Sequence, residues 1–142
     1  MMYKTLLIAA ATSLLFLGCA TTSQVSNSAP TQKQSSKNLE GTTWKLVSFG
    51  LTRMAVPKDA SIRLKEGQYS GKGGCNGVGG NYELNGNKLI FVAGFSTMMA
   101  CPELDLEHKY MKALSKVESY SVEGDMLDLQ GKGQSLLRFK AE

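Results

Sequence analysis

Three cysteines, a single histidine and an asparagine set among glycines are the residues of this chain best equipped for chemistry. Cys75 and Asn76 lie in the stretch Gly71 to Tyr82, GKGGCNGVGGNY, and Cys101 ends the run Thr97-Met98-Met99-Ala100-Cys101. A Cys75 thiolate paired with His108 would make a nucleophile. Joining Cys75 to Cys101 competes with that chemistry, and two buried thiols packed as small hydrophobes compete with both. Zinc would need a cluster of Cys and His at ligand spacing, and one histidine does not supply it. The glycine stretch lacks the Gly-Lys-Ser/Thr ending of a phosphate-cradling loop. Asp105 and Glu107 stand two apart in a helical pattern, so they point in different directions and make no acid/base pair. No serine sits on a recognisable nucleophile elbow. The expectation is a protein that is not an enzyme and uses no cofactor and no metal.

What remains is recognition. Asn76 and Tyr82, with Met98 and Met99, form a candidate recognition surface. Each also has a structural reading. Asn is favoured in turns, because its side chain bonds nearby backbone and it tolerates the left-handed region. Methionine fills irregular gaps in cores. The glycines marking this stretch imply positive φ or close backbone approach.

These residues belong to a chain with an address at its start. Met1 to Lys4 is short and basic, and Thr5 to Leu17, TLLIAAATSLLFL, is uncharged and largely apolar. About thirteen residues are too few for a membrane-spanning helix and fit the apolar region of a secretory signal. Gly18-Cys19 closes it in a way that resembles a bacterial lipobox, with Phe16 and Leu17 in place of the usual leucine and small residue. The resemblance implies cleavage after Gly18 and acylation of Cys19; an ordinary signal peptide is the alternative. Stable anchoring needs more than one acyl chain, which a lipoprotein cysteine carries. Ala20 follows, without the aspartate associated with inner-membrane retention, so the expected location is the outer membrane, lipid-anchored, with the domain in the periplasm. Residues 19–37 are Ser, Thr, Gln and Asn with little apolar content, and read as a flexible tether. The expected organisation is thus a signal peptide over 1–18, a tether over 19–37 and one domain over 38–142.

The net charge of +4 is spread among interspersed acids and bases. No basic run interleaves with aromatics, so no nucleic acid is expected as a partner. In an oxidising compartment, with Cys19 acylated, Cys75 and Cys101 are left as a pair. A bridge closing about 25 residues would contribute roughly 3.5 kcal/mol in the chain-entropy model.

The domain reads as short alternating strands. Trp44 and Leu46 share one face of the first, and Trp44 reads as a core anchor. Ser61 to Lys65 alternates, Glu66-Gly67 turns, and Gln68 to Ser70 runs into the glycines. Asn81–Leu84 and Lys88–Val92 flank Asn85-Gly86-Asn87, a hairpin signal whose turn positions tolerate positive φ. Leu89 to Val92 is apolar on both faces, predicting a place in mid-sheet or against the helix. Pro102 to Lys116 is the one helix, with Leu104, Tyr110, Met111 and Leu114 as its buried stripe. Glu103, Asp105 and Glu107 complement the positive end of its dipole. Strands at Ser119–Val122, Met126–Leu129 and Leu137–Phe139 close the chain. This pattern predicts a mainly β fold with one helix, a small antiparallel barrel or curled sheet.

Gly74-Cys75-Asn76 followed by Gly80-Asn81-Tyr82 is similar to the GCNxxxGxY signature of the META domain, the family of HslJ-type envelope lipoproteins. Thr97 to Cys101 resembles its second signature. Glu107, Tyr110 and Leu114 fit its E-x-x-aromatic-x-x-x-L helix, Leu39, Gly41 and Trp44 its opening, and Tyr120, Gly124, Leu127, Leu129, Leu137 and Phe139 its closing strands. The resemblance spans Leu39 to Phe139. It implies a compact β-barrel-like META/HslJ fold, export, frequent lipid anchoring and an association with envelope stress, and it implies no shared catalytic activity. The expected function is a non-enzymatic interaction or ligand-binding module supporting outer-membrane integrity or stress tolerance. Its partners would be the membrane, through the lipid anchor at Cys19, and an envelope protein or small ligand. The rival is an inhibitor of a cell-wall hydrolase or protease.

Overall fold

Alternation, turn chemistry and one amphipathic segment build a closed eight-stranded antiparallel barrel with a single helix among the described residues. The structure is a computed structural model, and it describes residues 39–142. The expected signal peptide over 1–18 and tether over 19–37, Cys19 included, lie outside the described residues. The strands are β1 Thr43–Ser48, β2 Ser61–Lys65, β3 Gln68–Lys72, β4 Gly77–Asn85, β5 Lys88–Ser96, β6 Ser119–Glu123, β7 Met126–Gly131 and β8 Gln134–Ala141, with α1 Leu104–Leu114 between β5 and β6. Each strand pairs with its neighbour in sequence, and β8 returns to pair with β1.

Two-residue turns set the register of four hairpins. Glu66-Gly67 and Lys132-Gly133 take positive φ at both positions, as a type I′ turn requires. The third turn departs from the sequence expectation. Asn85 pairs with Lys88, so the turn residues are Gly86 and Asn87, and only Gly86 is left-handed, at φ 61°. That is the pattern of a type II′ turn, with glycine at its first position. Gly124-Asp125 repeats it, with Gly124 at φ 60°.

Inward positions supply the core. Trp44, Ile62, Leu64, Leu89, Leu127, Leu129, Leu137 and Phe139 are buried, and Tyr110 and Leu114 of α1 join them. The Trp44 indole N–H donates to the Leu39 carbonyl at 2.9 Å, so the anchor is satisfied as well as buried. The Tyr110 ring packs edge-on to Phe139 at 6.3 Å.

Three expectations need adjustment. Of the two roles expected of the glycine stretch, positive φ is confined to Gly74, and Gly77 to Gly80 open β4. These glycines serve close approach. A Cβ on Gly80 would sit 2.3 Å from the Ala93 carbonyl oxygen and 2.7 Å from the Tyr69 ring. Tyr69 faces the interior across from Gly80 and stacks edge-on to Phe91 at 5.0 Å. Secondly, Leu89 to Val92 does lie in mid-sheet, between β4 and β6, but its two apolar faces are not both covered. Leu89 is buried, whereas Ile90 and Val92 are exposed on the outside of the barrel. Thirdly, the helix is shorter than its periodicity suggests, and of the expected stripe Leu104 and Met111 are only half-buried.

The β5–β6 seam is the thinnest. It carries one register pair, Lys88 with Ser119, where every other seam carries at least three. The helix fills the interior beside it. Met111 Cε lies 3.4 Å from the position a Gly94 Cβ would take. Tyr110 is fully buried, its hydroxyl 3.4 Å from the Ser61 carbonyl oxygen.

Tyr82 ties the barrel to the segment preceding β1, with its hydroxyl donating to the Glu40 carboxylate. Burial, then this bond, push its pKa up to about 12. A phenol whose pKa is raised on folding stabilises the fold fully below the unfolded value of about 10 and loses that contribution as pH rises through the folded one. An alkaline titration is therefore expected to weaken the fold from about pH 10 to about pH 12. Phenolate absorbance and circular dichroism, followed together, check this. Tyr82→Phe should flatten that part of the profile, and an unchanged profile would refute the assignment.

Candidate functional site

The two sequence signatures meet at one end of the barrel, around a buried carboxylate. The first signature leads into β4, the second follows β5, and Glu107 comes from the first turn of α1. Asn76 is 1% exposed and Glu107 is 3% exposed. The Asn76 backbone N–H donates to Glu107 Oε2 at 2.9 Å, and Asn76 Nδ2 donates to Oε1 at 2.9 Å. One residue thus grips both carboxylate oxygens. The remaining Nδ2 proton points to the Met99 carbonyl at 3.3 Å. Asn76 Oδ1 accepts from the Met99 N–H at 2.8 Å and from Thr97 Oγ1 at 2.9 Å. All four hydrogen-bonding positions of the amide are thereby used. Thr97 Oγ1 accepts the Gly77 N–H at 3.1 Å, and Ser96 Oγ lies 3.0 Å from Glu107 Oε1.

No cationic side chain among the described residues lies within ion-pair distance of Glu107. Its charge is carried by donors alone, which is how a buried carboxylate is retained without a counter-ion. Gly73 leaves room for its stem: a Cβ there would fall 2.7 Å from Glu107 Cγ. Gly73→Ala is accordingly expected to cost about 1–3 kcal/mol, the usual scale of overpacking. Urea denaturation of the variant checks this, and a loss below a few tenths of a kcal/mol would show that the carboxylate has room to move.

A disulfide joins Cys75 to Cys101, with Cα atoms 6.3 Å apart. Cys75 Sγ is therefore committed to Cys101 and is not held as a thiolate against His108. The bridge ties the turn before β4 to the residue just ahead of Pro102. Glu103 adds a tie on the other side, accepting from the Lys58 N–H at 2.9 Å.

The structure separates the four residues of the expected recognition surface. Asn76 and Tyr82 are buried, and six residues of β4 put them about 20 Å apart along the strand. Both are spent on internal bonds, so neither presents a surface. Met98 is fully exposed and Met99 is 54% exposed. With Leu104, His108 and Met111 they line a cleft of about 530 Å³, with Glu107 and Asn76 among its lining residues. Sequence reasoning noted Glu107 as a helix-dipole acid and as a position of the family's helix motif, but missed that it is the buried centre of this network. The available signal was its spacing: it lies three before Tyr110 and seven before Leu114, on the buried stripe. Among the described residues no group of three His, Cys, Asp or Glu is placed to hold a metal ion.

Comparison with known proteins agrees with the architecture. The family model described as the META domain matches residues 37–142. An NMR structure of a protein from Burkholderia xenovorans is similar, with a TM-score of 0.64 and 27% identity, covering 75% of this chain and 85% of that one. A second protein solved by NMR gives a TM-score of 0.57 at 23% identity, covering 73% of this chain and 92% of that one. A crystal structure of a DUF4847 family protein from Bacteroides vulgatus gives 0.58 at 16% identity, over 73% of this chain and 94% of that one. The last two likenesses bear on the fold alone. No curated protein matches the chain.

Proposed function

The chain belongs to the META-domain family, and from that premise we propose that it is a non-enzymatic interaction module. In this reading acylated Cys19 tethers it in a bacterial envelope, where it supports outer-membrane integrity or stress tolerance. The observation that carries the reading is the use made of the polar residues in the signatures. Asn76, Thr97 and Glu107 are consumed in holding a loop, and what that loop offers outward is Met98 and Met99. Thioether side chains are polarisable and adapt to apolar partners. Held on a clamped loop they bind with little ordering cost.

In-cell photocrosslinking from positions 98 and 99 tests this, with exposed Leu51 as the control position. A reproducible protein or small-ligand adduct from 98 and 99, absent from 51, is the expected result. Silence at both, or equal labelling at all three, would overturn it. The same clamped loop favours a second reading, an inhibitor that inserts Met98 into the cleft of a cell-wall hydrolase or protease. Inhibition across a panel of such enzymes, lost in Met98→Asp, would select it.

A further inference from the structure

The outer face of β2 to β5 carries a feature that the contact loop does not explain. Two rows of side chains run across four strands. Arg63, Ser70, Gly79 and Phe95 are directly paired in one; Gln68, Asn81 and Val92 are paired in the other, with Lys65 opposite Gln68. Three strand spacings make each row about 14 Å long, and the two lie about 7 Å apart. Arg63, Lys65, Gln68, Ser70, Asn81 and Phe95 of these rows, together with Glu66, line a concavity of about 610 Å³. Phe95 is 66% exposed and lies over Gly79, where a Cβ would come within 2.8 Å of its ring. The glycine lets the ring lie against the sheet, so its other face is a platform open to solvent. Around it, the side chains of Arg63, Gln68, Ser70 and Asn81 make no hydrogen bond or ion pair among the described residues. Lys65 is paired only with exposed Glu66, at 3.8 Å. Such a pair is weak and easily displaced.

We propose that this face is a binding site for a short anionic saccharide. Two amides and a hydroxyl both donate and accept, which matches sugar hydroxyls. The negative face of an aromatic ring suits the polarised C–H groups of a pyranose. Arg63 presents a fork that fits a carboxylate or phosphate, and its neighbour Lys65 adds a second positive charge. The dimensions accommodate two or three sugar units. A single-stranded nucleic acid is disfavoured, because it calls for successive stacking platforms and a cationic track, and here one ring and two cations are present. The site is separate from Met98 and Met99, so the two readings stand or fall independently.

The test is titration of the full-length protein with trigalacturonate, maltotriose and an oligothymidylate, followed by calorimetry and backbone amide shifts. Trigalacturonate is expected to bind, moving the amides of Arg63, Ser70, Asn81 and Phe95, and to bind more weakly as salt is raised. Phe95→Ala and Arg63→Gln should each weaken it by about fivefold or more. Both side chains are exposed, so the melting temperature should not move. Absence of shifts with either saccharide, equal affinity for maltotriose, or preference for the oligothymidylate would each overturn the proposal.

Discussion

Glu107→Ala is expected to lower the unfolding free energy by about 4 kcal/mol, the scale for removing the acceptor of several buried, charge-assisted bonds. The substitution strands the Asn76 backbone N–H and one Nδ2 proton, both buried, and frees Ser96 Oγ. For a domain of this size the melting temperature should fall by roughly 20 °C. Glu107→Gln keeps the shape and one acceptor but turns an NH₂ toward a donor, so about half the loss is expected. Denaturant midpoints measured with the disulfide intact decide the matter. If the alanine variant stayed within about 1 kcal/mol of the parent, the carboxylate would not be holding the loop. A cycle with Asn76→Ala should show coupling above about 1 kcal/mol, because the two residues share their bonds.

Removing the disulfide should be nearly as costly. Cys75 and Cys101 are separated by 26 residues, and closing a loop of that length restrains the unfolded chain by roughly 3.5 kcal/mol. Domains of this kind have total stabilities of about 5–15 kcal/mol. The Cys75→Ser/Cys101→Ser pair should therefore survive at room temperature and unfold well below the parent on heating. The bridge and the Glu107 network hold the same loop, so their combined removal should cost less than the sum of the two. Strict additivity in that comparison would mean that the two restraints act on separate parts of the fold.

Much of this fold was legible locally. Ser61 to Lys65 alternates between buried and exposed as its sequence does, and Glu66-Gly67 and Gly124-Asp125 turn where their glycines fall. The barrel's parts that resisted reading depend on residues far apart in the chain. The sequence left Gly80 between positive φ and close approach because its partner, the Tyr69 ring, becomes visible only once β3 and β4 pair. Ile90 and Val92 looked buried because apolar composition does not say which face a closed sheet turns outward. Glu107 read as an acid complementing the helix dipole and as a position of the helix motif, and neither reading says that it is buried. Its burial is licensed by Asn76, 31 positions earlier. Asn76 itself was legible as a structural asparagine, but its bonds reach across the domain to α1 and the β5 loop, beyond its own turn.

The pairing of β1 with β8 has a consequence in time. A chain that emerges from its amino end produces β1 first and β8 last, and every strand between them can zip onto the one before. One edge of β1, including the bond from the Glu142 N–H to the Thr43 carbonyl, has to wait for the final strand. Until then the nascent sheet is open along both margins, and such margins invite pairing with other chains. Closure is thus a single late event, and the interval before it is when this protein most needs to be kept from its neighbours.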